Sequence, residues 1–253
     1  MRALFIFAHQ DDEMAAAARI ASLVRDGATV TFVFLTDGEG GSAASHVRDE
    51  ESRRVLAKLG VDLSRVHFLG SEQRIPDGSL YQHLDRALAL VEDRVTEDVD
   101  DVWTLSWEGG HQDHDAVHLV ALAFAKRRGV AERVFEVPLY HGHGTRGPFF
   151  RALNPLPVGN AWNGQKVSFR EGLRIALLCR LYSSQRRTWL AILPATIARL
   201  LLDRRVWWRR TDASRLMTKP HEGALFYERR FGVSWDEFSR SARPFIESHE
   251  LCL

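Results

Sequence analysis

Cysteine is scarce. Cys179 and Cys252 are the only two in 253 residues, too few for a disulfide framework, so a reducing compartment is the simpler expectation. Long apolar runs are lacking too. No stretch approaches the roughly 18 residues of a membrane-spanning helix, and the run after Arg2 is far shorter than the core of a secretory signal. A soluble, cytoplasmic protein is expected. Nor does one sign of charge dominate: a net charge of +1 offers no global reason to expect nucleic acid. Internal repeats and low-complexity segments are missing. With 45% hydrophobic residues, the chain can build one large α/β domain, with or without a small appendage.

The stretch around which the rest is arranged is MRALFIFAHQDDE, residues 1–13. Leu4, Phe5, Ile6 and Phe7 form an unbroken apolar run, as in a strand buried on both faces of a parallel sheet. His9, Asp11 and Asp12 follow at its carboxyl end, where open parallel sheets bind ligands. Ala16, Ile20, Leu23 and Val24 then fall on one helical face, with Gly27 as its C-terminal cap and Asp11 or Asp12 as N-terminal cap. Residues 29–35 (TVTFVFL) read as a second strand ending in the turn TDGEGG, residues 36–41. The pattern predicts helices over 48–59 and 80–95, strands over 66–69, 102–105 and 133–137, and another helix through Val117, Val120, Ala121 and Phe124. This βαβα rhythm predicts a Rossmann-like, doubly wound, mainly parallel sheet. A core of residues 1–140 is followed by an irregular C-terminal lobe, 141–253. The lobe completes the same domain and shapes the substrate pocket, opening with a Gly/Pro-rich stretch and carrying helices at 172–182, 194–208 and 235–246.

His9-x-x-Asp12 and His111-x-x-His114 each stand at the end of an apolar strand. Imidazole and carboxylate suit a catalytic zinc, which takes three protein ligands and keeps a position open for water. His9 and Asp12 with one histidine of the second turn make such a set, leaving Asp11, His111 and Asp113 for proton work. A structural zinc would be closed by four ligands, usually including cysteine, and neither cysteine lies near these turns.

Ala8-His9-Gln10-Asp11-Asp12-Glu13, Thr36-Asp37-Gly38-Glu39 and His111-Gln112-Asp113-His114 resemble the PIG-L/LmbE-like family of zinc-dependent N-deacetylases, whose motifs read AHPDDE and HPDH. Arg48, Glu50 and Glu51 before Leu59-Gly60 resemble a helix of that family, and Tyr182-Ser183-Ser184-Gln185 its C-terminal Ser-Gln signature. The resemblance covers residues 1 to about 130. It implies a hydrolase that removes the N-acetyl group from an N-acetylated amino sugar of the N-acetylglucosamine type, free or on a glycoconjugate or lipid carrier. It further implies one Zn2+ per chain held by His9, Asp12 and His114. Asp11 is then the general base, His111 the group at the oxyanion or leaving amine, Asp113 the partner that orients His111, and Arg48 a substrate contact. Two departures stand out. Gln10 and Gln112 replace the motif prolines, freeing φ in both turns, and Ser71-Glu72-Gln73 stands where relatives carry a sugar-binding Asp. A sugar-nucleotide-binding module without turnover and a metal-dependent phosphoester hydrolase are the alternatives, the latter more often wanting a second metal.

Other residues have blander readings. His118 is expected on a solvent-facing helix surface rather than as a fourth ligand. His141 and His143 belong to a loop that is either flexible or at the pocket mouth. Residues 186–215 hold eight arginines and two aspartates, a net charge of +6. This segment is expected to pack its arginine stems over the core, with contact to an anionic membrane, a carrier-linked sugar or another subunit as alternatives. Oligomeric assembly stays open.

Overall fold

The computed structural model describes residues 1–40 and 44–252; Gly41 of the TDGEGG turn lies outside them. The first half runs β1 (Arg2–Phe7), α1 (Glu13–Arg25), β2 (Thr29–Phe34), α2 (Ser45–Leu59), β3 (Val66–Phe68), α3 (Leu69–Gln73), α4 (Leu84–Arg94), β4 (Asp101–Leu105), α5 (Gln112–Arg127) and β5 (Val134–Val137). The second adds β6 (Tyr140–His141), β7 (Arg151–Ala152), β8 (Asn163–Lys166), α6 (Phe169–Leu178), α7 (Arg186–Ile197), β9 (Arg205–Arg210), α8 (Phe226–Arg230) and α9 (Trp235–Ser248).

The central sheet has the order β3-β2-β1-β4-β5-β9-β8. Its first five strands are parallel, and β9 and β8 close one edge antiparallel. The expected α/β fold with a mainly parallel, doubly wound sheet is the one formed. Side chains of β1, β2 and β4 lie at its centre, with Phe5 stacked between Phe32 at 4.9 Å and Trp103 at 5.7 Å. These stacked rings fix the registers on which the site depends. From β1 the chain winds outward through β2 to β3, then returns to β4 on the other side of β1. The reversal falls between β1 and β4, whose carboxyl ends diverge into a crevice.

The sheet also corrects the reading of 194–208 as helix. A turn of π-helix over Ala198–Asp203 follows α7, Arg204 takes a left-handed conformation, and Val206, Trp207 and Trp208 lie on β9. Trp208 packs 5.6 Å from Trp103 and 5.5 Å from Phe135. Cross-strand aromatic packing suits strand rather than helix. Part of the arginine-rich segment packs inward: Trp189 and Arg209 are buried, Arg209 pairs with Glu136, and Arg210 reaches Glu132 at 2.9 Å, while Arg186, Arg204 and Arg205 are exposed. Within the Gly/Pro-rich stretch, β6 and β7 form a small antiparallel pair. Among the described residues no helix is long and apolar enough to cross a membrane.

Candidate metal centre

The turn after β1 and the turn from β4 into α5 meet at the crevice. His9 Nδ1 lies 3.1 Å from His114 Nε2. Asp12 spans the pair, with Oδ1 3.2 Å from His114 Nε2 and Oδ2 3.6 Å from His9 Nδ1. Three ligands bound tetrahedrally at 2.0–2.1 Å from one ion would stand roughly 3.3 Å apart. The His9–His114 edge and this mixed imidazole–carboxylate donor set fit a zinc-sized cation, with Asp12 facing the two rings through different oxygens. A ring nitrogen of His111 also falls within 4.8 Å of those of His9 and His114, and one atom each of His9, Asp77 and Asp113 form a second such group.

The far side of His9 is held as a ligand should be. Its Nε2 lies 3.1 Å from Asp77 Oδ1 and 3.2 Å from Asp113 Oδ2, so an Nε2 proton leaves Nδ1 free to bind. The expected pairing of Asp113 with His111 is not formed. Asp113 carries its carboxylate into the loop after α3, where it accepts from the amides of Gly78 at 2.6 Å and Leu80 at 2.9 Å. Only its backbone N–H reaches His111, donating to Nδ1 over 3.1 Å. In a neutral ring that bond leaves the His111 proton on Nε2. Burial first, and His9 next, push the pKa of His111 down to about 3, so the ring is a neutral donor.

Charge is divided unevenly among the carboxylates. Burial opposes ionisation of Asp12, but His114 and His9 overcome it and hold Asp12 far below the usual carboxylate range. Asp77 is likewise lowered against burial, chiefly by His9. In Asp11 burial wins over Arg48 and pushes the pKa up to about 8. Asp11 also sits at φ 112°, a region costly for a residue with a side chain and concentrated at functional turns. Neither Asp11 nor Asp12 caps α1 through its side chain.

Arg48 was expected at the substrate. It lies 5% exposed beneath the turns, donating to the carbonyls of Gln10, at 2.6 Å, and Gly38, with Asp11 and Asp77 each 3.6 Å away. The TDG turn permits this, because at Gly38 φ is +68° and a Cβ would strike Gln10 and Arg48. The glutamines that replace the motif prolines tether the turns instead: Gln10 Nε2 donates to Asp49 Oδ1 at 2.6 Å and Ser71 Oγ at 3.1 Å, and Gln112 Nε2 to Gly78 O at 3.1 Å.

Several neighbours escape sequence reasoning. Asp77 does so although Pro76-Asp77-Gly78 is a turn triplet. Tyr140 rests its ring 5.2 Å from His114, and Phe231 packs 4.5 Å from His111; neither carries a motif. His118 is neither ligand nor solvent-facing, since it is buried and its Nδ1–H donates to Leu105 O at 2.8 Å. His141 is buried on Asn154 O at 3.0 Å, with His143 and His221 close by.

Residues 4–125 match the model of the PIG-L family, described as GlcNAc-PI de-N-acetylase. An Escherichia coli K12 protein described as the uncharacterized deacetylase YaiS is 28% identical over 123 residues, which is 47% of this chain and 65% of that protein, under two thirds of its length. Among solved structures, a deacetylase of teicoplanin biosynthesis superposes with a TM-score of 0.62 at 19% identity, covering 84% of this chain and 99% of that one. The N,N'-diacetylchitobiose deacetylase of Pyrococcus horikoshii gives 0.57 at 18%, covering 82% of each. At these identities the likeness is one of fold.

Proposed function

We propose that this chain, whose residues 4–125 match the model of the PIG-L family, is a zinc-dependent hydrolase removing the N-acetyl group from an N-acetylated amino sugar or its conjugate, of the N-acetylglucosamine type. His9, Asp12 and His114 would hold one ion. When bound there, it supplies Lewis acidity, polarising the amide carbonyl and lowering the pKa of a water.

The chain's own groups do the rest. Asp11 takes the proton of the attacking water, and a carboxylate raised toward neutrality both accepts and returns a proton readily. His111 donates from Nε2 to the oxyanion, a contact worth about 3 kcal/mol by analogy with oxyanion holes. The water oxygen joins the acyl carbon, the C–N bond breaks, and the proton held on Asp11 leaves with the amine. Asp113 acts through His9 and through the loop amides it holds. Arg48 is a positioning residue that keeps Asp11 and the two turns together. Residues 141–253 shape the substrate pocket, a role supported by Phe231 against His111.

The observation that carries this reading is the triangle of His9, Asp12 and His114 with Asp11 beside it. Metal analysis of the purified protein, followed by acetate release from a panel of N-acetylated sugars and conjugates, tests it. A metal-loaded protein that frees acetate from none of them sinks the substrate class; failure to bind metal sinks the centre.

A further inference from the structure

We propose that the outer face of α6 and α7 docks on an anionic lipid surface. The inner face of α6 buries Ile175, Ala176 and Leu178 against the core. Its outer face carries Phe169, Leu173 and Leu177 at i, i+4 and i+8, respectively 54%, 40% and 47% exposed, a continuous ridge about 12 Å long. Leu190 on α7 and Leu202 just beyond it are exposed at 70% and 80%. With Ile197, six of the twelve exposed large hydrophobic side chains among the described residues fall between 169 and 202. Such a concentration marks an interaction surface, whereas exposed apolar residues scattered singly do not.

The ridge is also hollowed and rimmed with positive charge. A cavity of about 530 Å³ opens between α6 and α7, lined by Leu173, Leu177, Leu190 and Leu193, with Arg180 and Arg186 at its edge. On the other side of α6, Lys58, Arg170 and Arg174 border a second hollow. Residues 166–186 hold five basic side chains and one acidic, Glu171, which pairs with Arg25 at 3.6 Å. Among the described residues Arg170, Arg180 and Arg186 are exposed and in no ion pair.

Charge complementarity selects the occupant. A second copy meeting this face across a two-fold axis would set these arginines against themselves, whereas phosphates of an anionic leaflet neutralise them. Apolar side chains at helical spacing flanked by arginines are what a helix lying in the interface presents. A ten-residue helix is far too short to span. This surface joins α6 to the start of the arginine-rich segment 186–215, which contributes Arg186, Leu190, Ile197 and Leu202. It does not depend on the hydrolase reading.

The test is sedimentation of the full chain with vesicles of equimolar phosphatidylglycerol and phosphatidylcholine, against phosphatidylcholine alone, at low and high salt. Binding only to the anionic vesicles and weakened by salt is expected. The double variant Arg180→Gln/Arg186→Gln should bind roughly thirtyfold more weakly, about fivefold per arginine. Leu177→Glu/Leu190→Glu should abolish binding while keeping the wild-type circular dichroism and melting temperature. Absence of wild-type binding at low salt would overturn the proposal, as would undiminished binding of the leucine variant. So would a stable dimer that this variant dissociates, since a second copy would then cover the face.

Discussion

Tyr182 Oη donates a 2.6 Å hydrogen bond to Glu13 Oε1, and Glu13 Oε2 accepts from the Asp11 amide at 2.9 Å. Next to it, Ser183 Oγ and the Ser184 amide donate to Glu51 Oε1 at 2.7 Å and 2.9 Å. The Tyr-Ser-Ser segment thus bolts the C-terminal lobe to α1 and α2 and holds the backbone of Asp11 in its positive-φ conformation. Removing the phenol oxygen leaves a buried carboxylate oxygen short of a donor, which costs about 1–3 kcal/mol. Tyr182→Phe should therefore melt lower and turn over roughly tenfold or more slowly, because Asp11 shifts, while its metal content stays that of the wild type. A lower melting point with unchanged kcat would reduce Tyr182 to packing.

Asp11 and His114 separate proton transfer from metal binding. Asp11→Asn keeps the shape, and asparagine tolerates positive φ better than most residues. It should retain metal and lose turnover by about 10²–10⁴-fold, the usual worth of a general base. His114→Ala removes one corner of the ligand triangle and should lose metal and activity together. Elemental analysis beside acetate release reads both variants; an Asp11→Asn protein as active as the wild type would remove Asp11 from the chemistry.

The strands that aim these groups are legible because a strand covered on both faces needs no polar alternation: Leu4 to Phe7 and the run from Val102 to Leu105 read as apolar throughout. The meeting of the two turns follows from the alternating pattern, since the sheet reverses between β1 and β4. Long-range partners are not legible. Nothing local to Asp113 tells that its carboxylate leaves His111 for His9 and the Gly78 and Leu80 amides, or that Tyr182 reaches Glu13 across 169 positions. The strand β9 is hidden for a similar reason: pairing with β5 and packing on Trp103 overrides a sequence that follows a helix without a proline or glycine break.

Stability should depend on acidity through a histidine outside the ligand triangle. Burial pushes His141 down to about 4, against about 6.5 in the unfolded chain. The unfolded state therefore binds the proton first as pH falls. The contribution is complete above about 6.5 and is lost progressively toward 4, amounting to roughly 2 kcal/mol by about pH 5. His221 and His118 are shifted in the same direction, chiefly by burial, and add to the trend. Denaturant melts at neutral and mildly acidic pH should show His141→Gln losing less stability on acidification than the wild type. Parallel losses in both proteins would refute the assignment.

The glutamine in place of the first motif proline has a cost and a function that can be measured together. Proline would fix φ in the turn without needing a partner; Gln10 reaches the same end by bonding Asp49 and Ser71, which ties the catalytic turn to α2 and α3. If the tether does the work of the ring, Gln10 and Asp49 are energetically coupled, and each single alanine variant already forfeits most of what the pair supplies. A double-mutant cycle over Gln10→Ala and Asp49→Ala should give a coupling of about 1 kcal/mol in stability, and the two single variants should slow turnover to a similar extent without changing metal content. Additive stabilities would mean that the turn is held by Arg48 on the Gln10 carbonyl alone, and that the side chain of Gln10 merely fills space.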